Sequence, residues 1–149
     1  MDKALIGSFL RETSLENSAR GTWGLGKVVA RAGAKVGMSL TSLNEATDEL
    51  LISSPLNIVQ PIVSSLLKSM AREMKNPVEF GAPNAQFCML TGRQLLNRWS
   101  HPSIVFVYLK SVSEGSTHFH IECYSNDYGG ITANAEIKMI LKEFSLRFR

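Results

Sequence analysis

The passage that most constrains this chain is a pair of strand-like runs, Ser103 to Val112 (SIVFVYLKSV) and Ser116 to Tyr124 (STHFHIECY), joined by Ser113-Glu114-Gly115. Runs of β-branched and aromatic residues around a short glycine-containing loop read as a β-hairpin. A three-residue loop with Gly115 left-handed pairs Val112 with Ser116. That register sets Leu109 opposite Phe119, Val107 opposite Ile121 and Val105 opposite Cys123, which makes one face wholly apolar. The other face then carries Lys110 with His118, Tyr108 with His120, Phe106 with Glu122 and Ile104 with Tyr124. A slip of one residue would turn every side chain to the opposite face, so the register with the clean apolar face is the expected one.

Helix-period patterns come before residue 85 and strand alternation comes after it, which predicts an α+β fold: N-terminal helices over about 3–76 packed on a C-terminal, mainly antiparallel sheet over about 85–149. Leu5, Ile6, Phe9 and Leu10 mark a first helix. Leu25, Val28, Val29, Ala32 and Val36 mark a second, stopped at Gly37. Ser42 with Glu45 reads as a capping box opening a helix through Ile52. Ser54-Pro55 opens another, with a kink or restart at Pro61 before the stripe Ile62, Val63, Leu66, Leu67, Met70, Met74, which ends at Asn76-Pro77. Residues 78–84 make a linker too short to divide domains, so residues 1–149 read as one. Gln86 to Leu90 is a strand, and Thr91 with Gln94 caps a short helix carrying Leu95, Leu96 and Trp99. The tail from Ile131 to Arg149 fits two periods. Ile131, Ala133, Ala135, Ile137, Met139 and Leu141, then Phe144, Leu146 and Phe148, alternate with polar residues as two strands except at Ile140; Ala133, Ile137, Ile140, Leu141, Phe144 and Phe148 also make one helix face, with Met139 and Leu146 off it. The alternation favours strands.

Composition excludes several classes. With 149 residues, 44% hydrophobic and 19% charged, the chain has the make-up of a folded domain rather than a disordered or fibrous one. No stretch approaches the ~20 apolar residues of a membrane span, and no secretory leader is expected. Cys88 and Cys123 lack metal-type spacing and read as buried, reduced thiols, which suits a cytoplasmic protein.

Three motifs bear on chemistry. Gly21 to Lys27 satisfies the GxxxxGK of a phosphate-binding loop, but Val28 stands where Ser or Thr must hold Mg²⁺, and no strand precedes it. His118, His120 and Glu122 share one face of the second hairpin strand, and imidazoles at that spacing converge well enough to hold Zn²⁺ or Fe²⁺. Arg20, Lys27, Arg31 and Lys35 are the only charged residues between Glu16 and Glu45, so this segment carries +4 where the whole chain carries +3. Lys27, Arg31 and Lys35 recur every fourth residue opposite the apolar stripe, with Trp23 near its start, as in helices that cover phosphates or lie on anionic membranes. In the strand reading of the tail, Arg147 and Arg149 share an outward face and the last strand offers a free edge to another subunit.

These features predict a non-enzymatic assembly protein without a cofactor. It self-associates as a homo-oligomer and binds a polyanion, RNA or an anionic membrane surface, through Arg20, Lys27, Arg31, Lys35, Arg147 and Arg149. It is cytoplasmic, and peripheral at a membrane if lipid is the polyanion. Viral matrix and coat proteins offer an analogy of size and charge alone. Two alternatives compete: a small metal- or ligand-dependent enzyme using His118, His120 and Glu122, and a protein-binding adaptor or effector module.

Overall fold

A computed structural model describes residues 1–20, 43–91, 102–127 and 130–148. Its elements are helix α1 (Lys3–Arg20), strand β1 (Asn44–Ile52), helix α2 (Leu56–Met70), strand β2 (Glu73–Lys75), a 3-10 turn (Pro77–Phe80), strands β3 (Phe87–Thr91), β4 (Ser103–Ser113) and β5 (Ser116–Ser125), and helix α3 (Ile131–Arg147). The fold is α+β, with one five-stranded antiparallel sheet in the order β1-β5-β4-β3-β2.

The hairpin holds the centre of that sheet. Leu109 faces Phe119, Val107 faces Ile121 and Val105 faces Cys123, and the polar-face pairs Lys110/His118, Tyr108/His120, Phe106/Glu122 and Ile104/Tyr124 also form as expected. The turn differs in one detail. Ser113, not Val112, pairs with Ser116, so only Glu114 and Gly115 form the loop, and a bulge between Ser111 and Ser113 absorbs the extra residue. The bulge leaves Val112 60% exposed, which is how one turn can be shortened without disturbing the apolar face.

α2 and α3 cover that apolar face. Val59, Val63, Leu66 and Leu67 from α2 and Ala133, Ile137, Ile140 and Phe144 from α3 pack on Met89, Val105, Val107, Leu109, Phe119 and Ile121. Phe144 meets Phe119 edge to face at 4.8 Å, and each such side chain, fully buried, contributes roughly 1.5–3 kcal/mol. α2 runs through Pro61 as one helix. The expected restart does not occur, because Pro61 lies on an exposed side early in the helix, where one lost N–H bond is tolerable. The helix ends sooner than its apolar stripe: Ala71 leaves the helical region, and Met74 joins β2 opposite Met89.

α1 covers part of the other face. Asp2 caps it, accepting from the N–H of Ala4 at 3.0 Å and of Leu5 at 3.1 Å. Ile6 and Leu10 bury against Phe80, Cys88, Leu90, Ile104, Phe106 and Tyr124. Edge-to-face contacts run from Phe9 to Phe80 (5.2 Å), to Phe106 (5.9 Å) and to Tyr124 (5.9 Å), binding helix, turn and sheet together.

Two expected elements are corrected. Residues 44–52, expected as a capping-box helix, form β1, paired with β5 over nine residues from Asn44/Ser125 to Ile52/Thr117. Glu, Ala and Leu favour a helix here, but a local preference of tenths of a kcal/mol per residue is smaller than a nine-pair ladder beside buried strands. The tail, expected as two strands, is the single helix α3. Its buried set of Ala133, Ile137, Ile140 and Phe144 follows the helical period, and Leu146, which a strand would bury with Phe144, is 57% exposed. β1 takes the sheet edge beside β5, and the tail packs across the sheet face as a helix. Among the described residues the tail therefore offers no strand edge, and Arg147 lies in the last turn of a helix.

The start of α3 explains the choice locally. Thr132 N–H donates to Asp127 Oδ2 at 3.0 Å and Ser125 Oγ donates to Asp127 Oδ1, so the Asp127 carboxylate holds the first turn from just outside it. Gly130 takes φ +67° with Asn44 against its Cα, a place where an added Cβ would lie 3.2 Å from Asn44 Cβ. The Asn44 side-chain amide in turn donates to the Asp127 carbonyl. One cap thereby ties β1, β5 and α3.

Candidate functional site

α1 leaves uncovered, among the described residues, the half of its sheet face nearer the hairpin tip. Alternation puts Glu45, Thr47, Glu49 and Leu51 of β1 on that face, beside Tyr124, Glu122, His120 and His118 of β5 and Tyr108 and Lys110 of β4. The sequence predicted the β4 and β5 members together on one face. It missed Glu45 and Glu49, whose only signal was the faint alternation of Ala46, Leu50 and Ile52 beneath a stronger helix pattern.

The polar groups form a continuous network. Lys3 pairs with Glu45, and the Lys3 ammonium holds the Glu45 carboxyl below its ordinary range. Tyr124 Oη lies 3.2 Å from both Glu45 Oε1 and Glu122 Oε2. One hydroxyl proton serves one acceptor at a time, so Tyr124 bridges the two carboxylates in alternation. Glu122 also faces Tyr108 Oη at 3.4 Å and His120 Nε2 at 3.2 Å. Burial and the Glu122 charge push the Tyr108 phenol up to about 12, and burial with Glu122 and Glu45 pushes that of Tyr124 up as well. His120 tilts against the Tyr108 ring with centroids 5.7 Å apart. His118 turns away from this group to Glu49 Oε2, 3.2 Å away on the edge strand.

The candidate metal trio is therefore split. His118, His120 and Glu122 do share a face, but His118 is engaged by Glu49 and His120 by Glu122. Among the described residues no group of three or more His, Cys, Asp and Glu side chains is placed to hold a metal ion. The thiols offer no nucleophile: burial pushes Cys88 up to about 12 and raises Cys123 too, keeping both protonated.

The polyanion candidates fall mostly elsewhere. Arg20 closes α1 and Arg147 closes α3, while Lys27, Arg31, Lys35 and Arg149 lie outside the described residues, as do the GxxxxGK run, the helix expected over 25–36 and that expected around Leu95 to Trp99. Charge nonetheless divides sharply along the sequence. Segments 21–42 and 92–101 with Arg149 hold six of the 16 Lys and Arg residues and none of the 13 Asp and Glu residues, which leaves ten bases and 13 acids, net −3, in the described body. No helix among the described residues is long and apolar enough to cross a membrane. The sequence matches no protein-family model and no curated protein sequence.

Proposed function

We propose that this chain is a non-enzymatic protein that binds a polyanion, RNA or an anionic membrane face, through Arg20, Lys27, Arg31 and Lys35, with Arg147 and Arg149 as auxiliary contacts. The observation that supports this reading is the division of charge. A body at net −3 repels phosphates, so an overall charge of +3 would serve no polyanion unless the bases were gathered in segments free of acid, as they are. Arg147, at the end of α3, is exposed. Self-association remains part of the proposal without the C-terminal strand edge first expected to carry it.

The test is binding to single-stranded RNA and to anionic vesicles across a salt series, with light scattering to give the mass of the complex. Affinity for RNA should fall by a log–log slope of roughly −0.7 per phosphate contacted, and replacing Lys27, Arg31 and Lys35 together by Gln should flatten that slope. Binding that ignores salt, or no binding to either polyanion, overturns the proposal.

A second reading rests on the uncovered face, where side-chain exposures of 31% for His120, beside Tyr108, and 38% for His118, each held by its own carboxylate, leave both imidazoles within reach of a ligand. Line broadening of the His118 and His120 ring protons on addition of candidate small molecules would support it.

A further inference from the structure

β1 is the outermost strand of the sheet and, among the described residues, is paired on one side only. Its open side is well defined. Glu49 donates its backbone N–H to the Asp48 carboxylate at 2.8 Å instead of to β5. Backbone groups of an antiparallel strand point alternately to either side, so Thr47, Glu49 and Leu51 turn theirs outward while Ala46, Asp48 and Leu50 bond β5. Proteins usually protect such an edge by shortness, proline, lysine or a bulge. β1 is nine residues long, contains neither Pro nor Lys, and keeps an unbroken register with β5, so its three carboxylates are the guard that the edge carries. The opposite edge, β2, has three residues.

Charge decides what can add there. β1 carries Glu45, Asp48 and Glu49 and no base, so pairing with a second copy of itself would bring six carboxylates to one seam. A strand with basic residues at alternate positions meets the opposite condition, and the exposed Leu51 side chain, 64% accessible, supplies an apolar contact at one end. We propose that the β1 edge is a strand-addition site for an extended, basic segment of a partner protein, which pairs with the outward groups of Thr47, Glu49 and Leu51 and displaces the Asp48 carboxylate from the Glu49 N–H.

The proposal is independent of polyanion binding, since its surface is acidic and lies in the folded body. The test uses the full chain and a capped nine-residue peptide alternating Lys or Arg with Val or Thr, with its Glu-substituted counterpart as control. Amide NMR shifts on addition of the basic peptide should centre on Thr47, Glu49 and Leu51. The double variant Thr47→Lys/Asp48→Lys leaves the Glu45 and Glu49 ion pairs intact, and should bind the basic peptide roughly ten-fold more weakly and the acidic one more tightly. Shifts centred on another surface, equal binding of both peptides, or unchanged affinity in a variant that melts like the parent would overturn it. So would absence of binding by either peptide at millimolar concentration.

Discussion

Replacing Phe144 by Ala separates the helical tail from the strand tail as no other single change does. Phe144 is fully buried between Phe119, at 4.8 Å, and Phe148, at 6.4 Å between centroids. Truncating a buried Phe costs about 3–5 kcal/mol through lost transfer energy and a residual cavity. Leu146, two residues on, is 57% exposed, so Leu146→Ala should stay within about 0.5 kcal/mol of the parent. In a strand the two side chains would share one face and the two losses would be alike. Urea denaturation followed by circular dichroism measures both, and for a chain of this length the Phe144→Ala loss corresponds to a drop in Tm on the order of 10 °C. Comparable losses at the two positions, or a Phe144→Ala variant as stable as the parent, would refute the helical packing. The same geometry implies that deleting residues 143–149 destabilises the folded chain itself, because the cover over Phe119 comes from the same molecule.

Gly130→Ala should cost about 1–3 kcal/mol, since φ +67° disfavours a side chain and the new Cβ would press Asn44 at 3.2 Å; melting of the variant checks it, and a neutral result would remove the cap linking β1 to α3. The Tyr108 phenol, raised from 10.0 to about 12 in the folded chain, stabilises the fold fully below its unfolded value, and that contribution is lost as pH rises from about 10 through 12. Tyr108→Phe should therefore flatten the alkaline fall in stability, read from urea midpoints between pH 9 and 12 (roughly the window spanning tyrosine ionisation).

Legibility in the sequence followed how many independent constraints each segment supplied. The hairpin tests its own register, because a shift of one residue turns Phe119, Ile121 and Cys123 outward together; its core pairs were readable although the turn was not, since a bulge at Val112 costs the apolar face nothing. The tail supplied two nearly consistent periods: Ile140 breaks the alternation, while Met139 and Leu146 fall off the helix face. Both positions are tolerant: Met139 packs partly against the core and Leu146 stands in solvent. The helical period gathers Ile140 with Ala133, Ile137 and Phe144 on the buried side, whereas the filling of the edge beside β5 is a fact about residues 44–52 rather than about the tail. That fact was itself hidden, because Ser42 and Glu45 spell a capping box whose signal is local, whereas pairing with a distant strand, Ile52 with Thr117 at one end and Asn44 with Ser125 at the other, leaves only a faint alternation in the sequence of β1. The β1 side of the candidate polar face was lost with it, since Glu45 reaches Tyr124 and Glu49 reaches His118 only once β1 is a strand.

The placement of β1 also sets how the two proposed surfaces can be distinguished. A polyanion is drawn to segments that carry bases without acids, and the body with its acidic edge pushes it away; a basic strand is drawn to that edge and pushed away by the same bases. Raising salt weakens both attractions, so salt dependence alone cannot tell an RNA contact from a strand addition. Mutation can. Lys27, Arg31 and Lys35 to Gln lowers attraction for RNA and lowers repulsion of a basic peptide, whereas Thr47→Lys/Asp48→Lys does the reverse. Opposite signs in the two assays for each variant are therefore the expected pattern. A variant that shifts both affinities in the same direction would show that a single surface, or a change in the fold, was being measured.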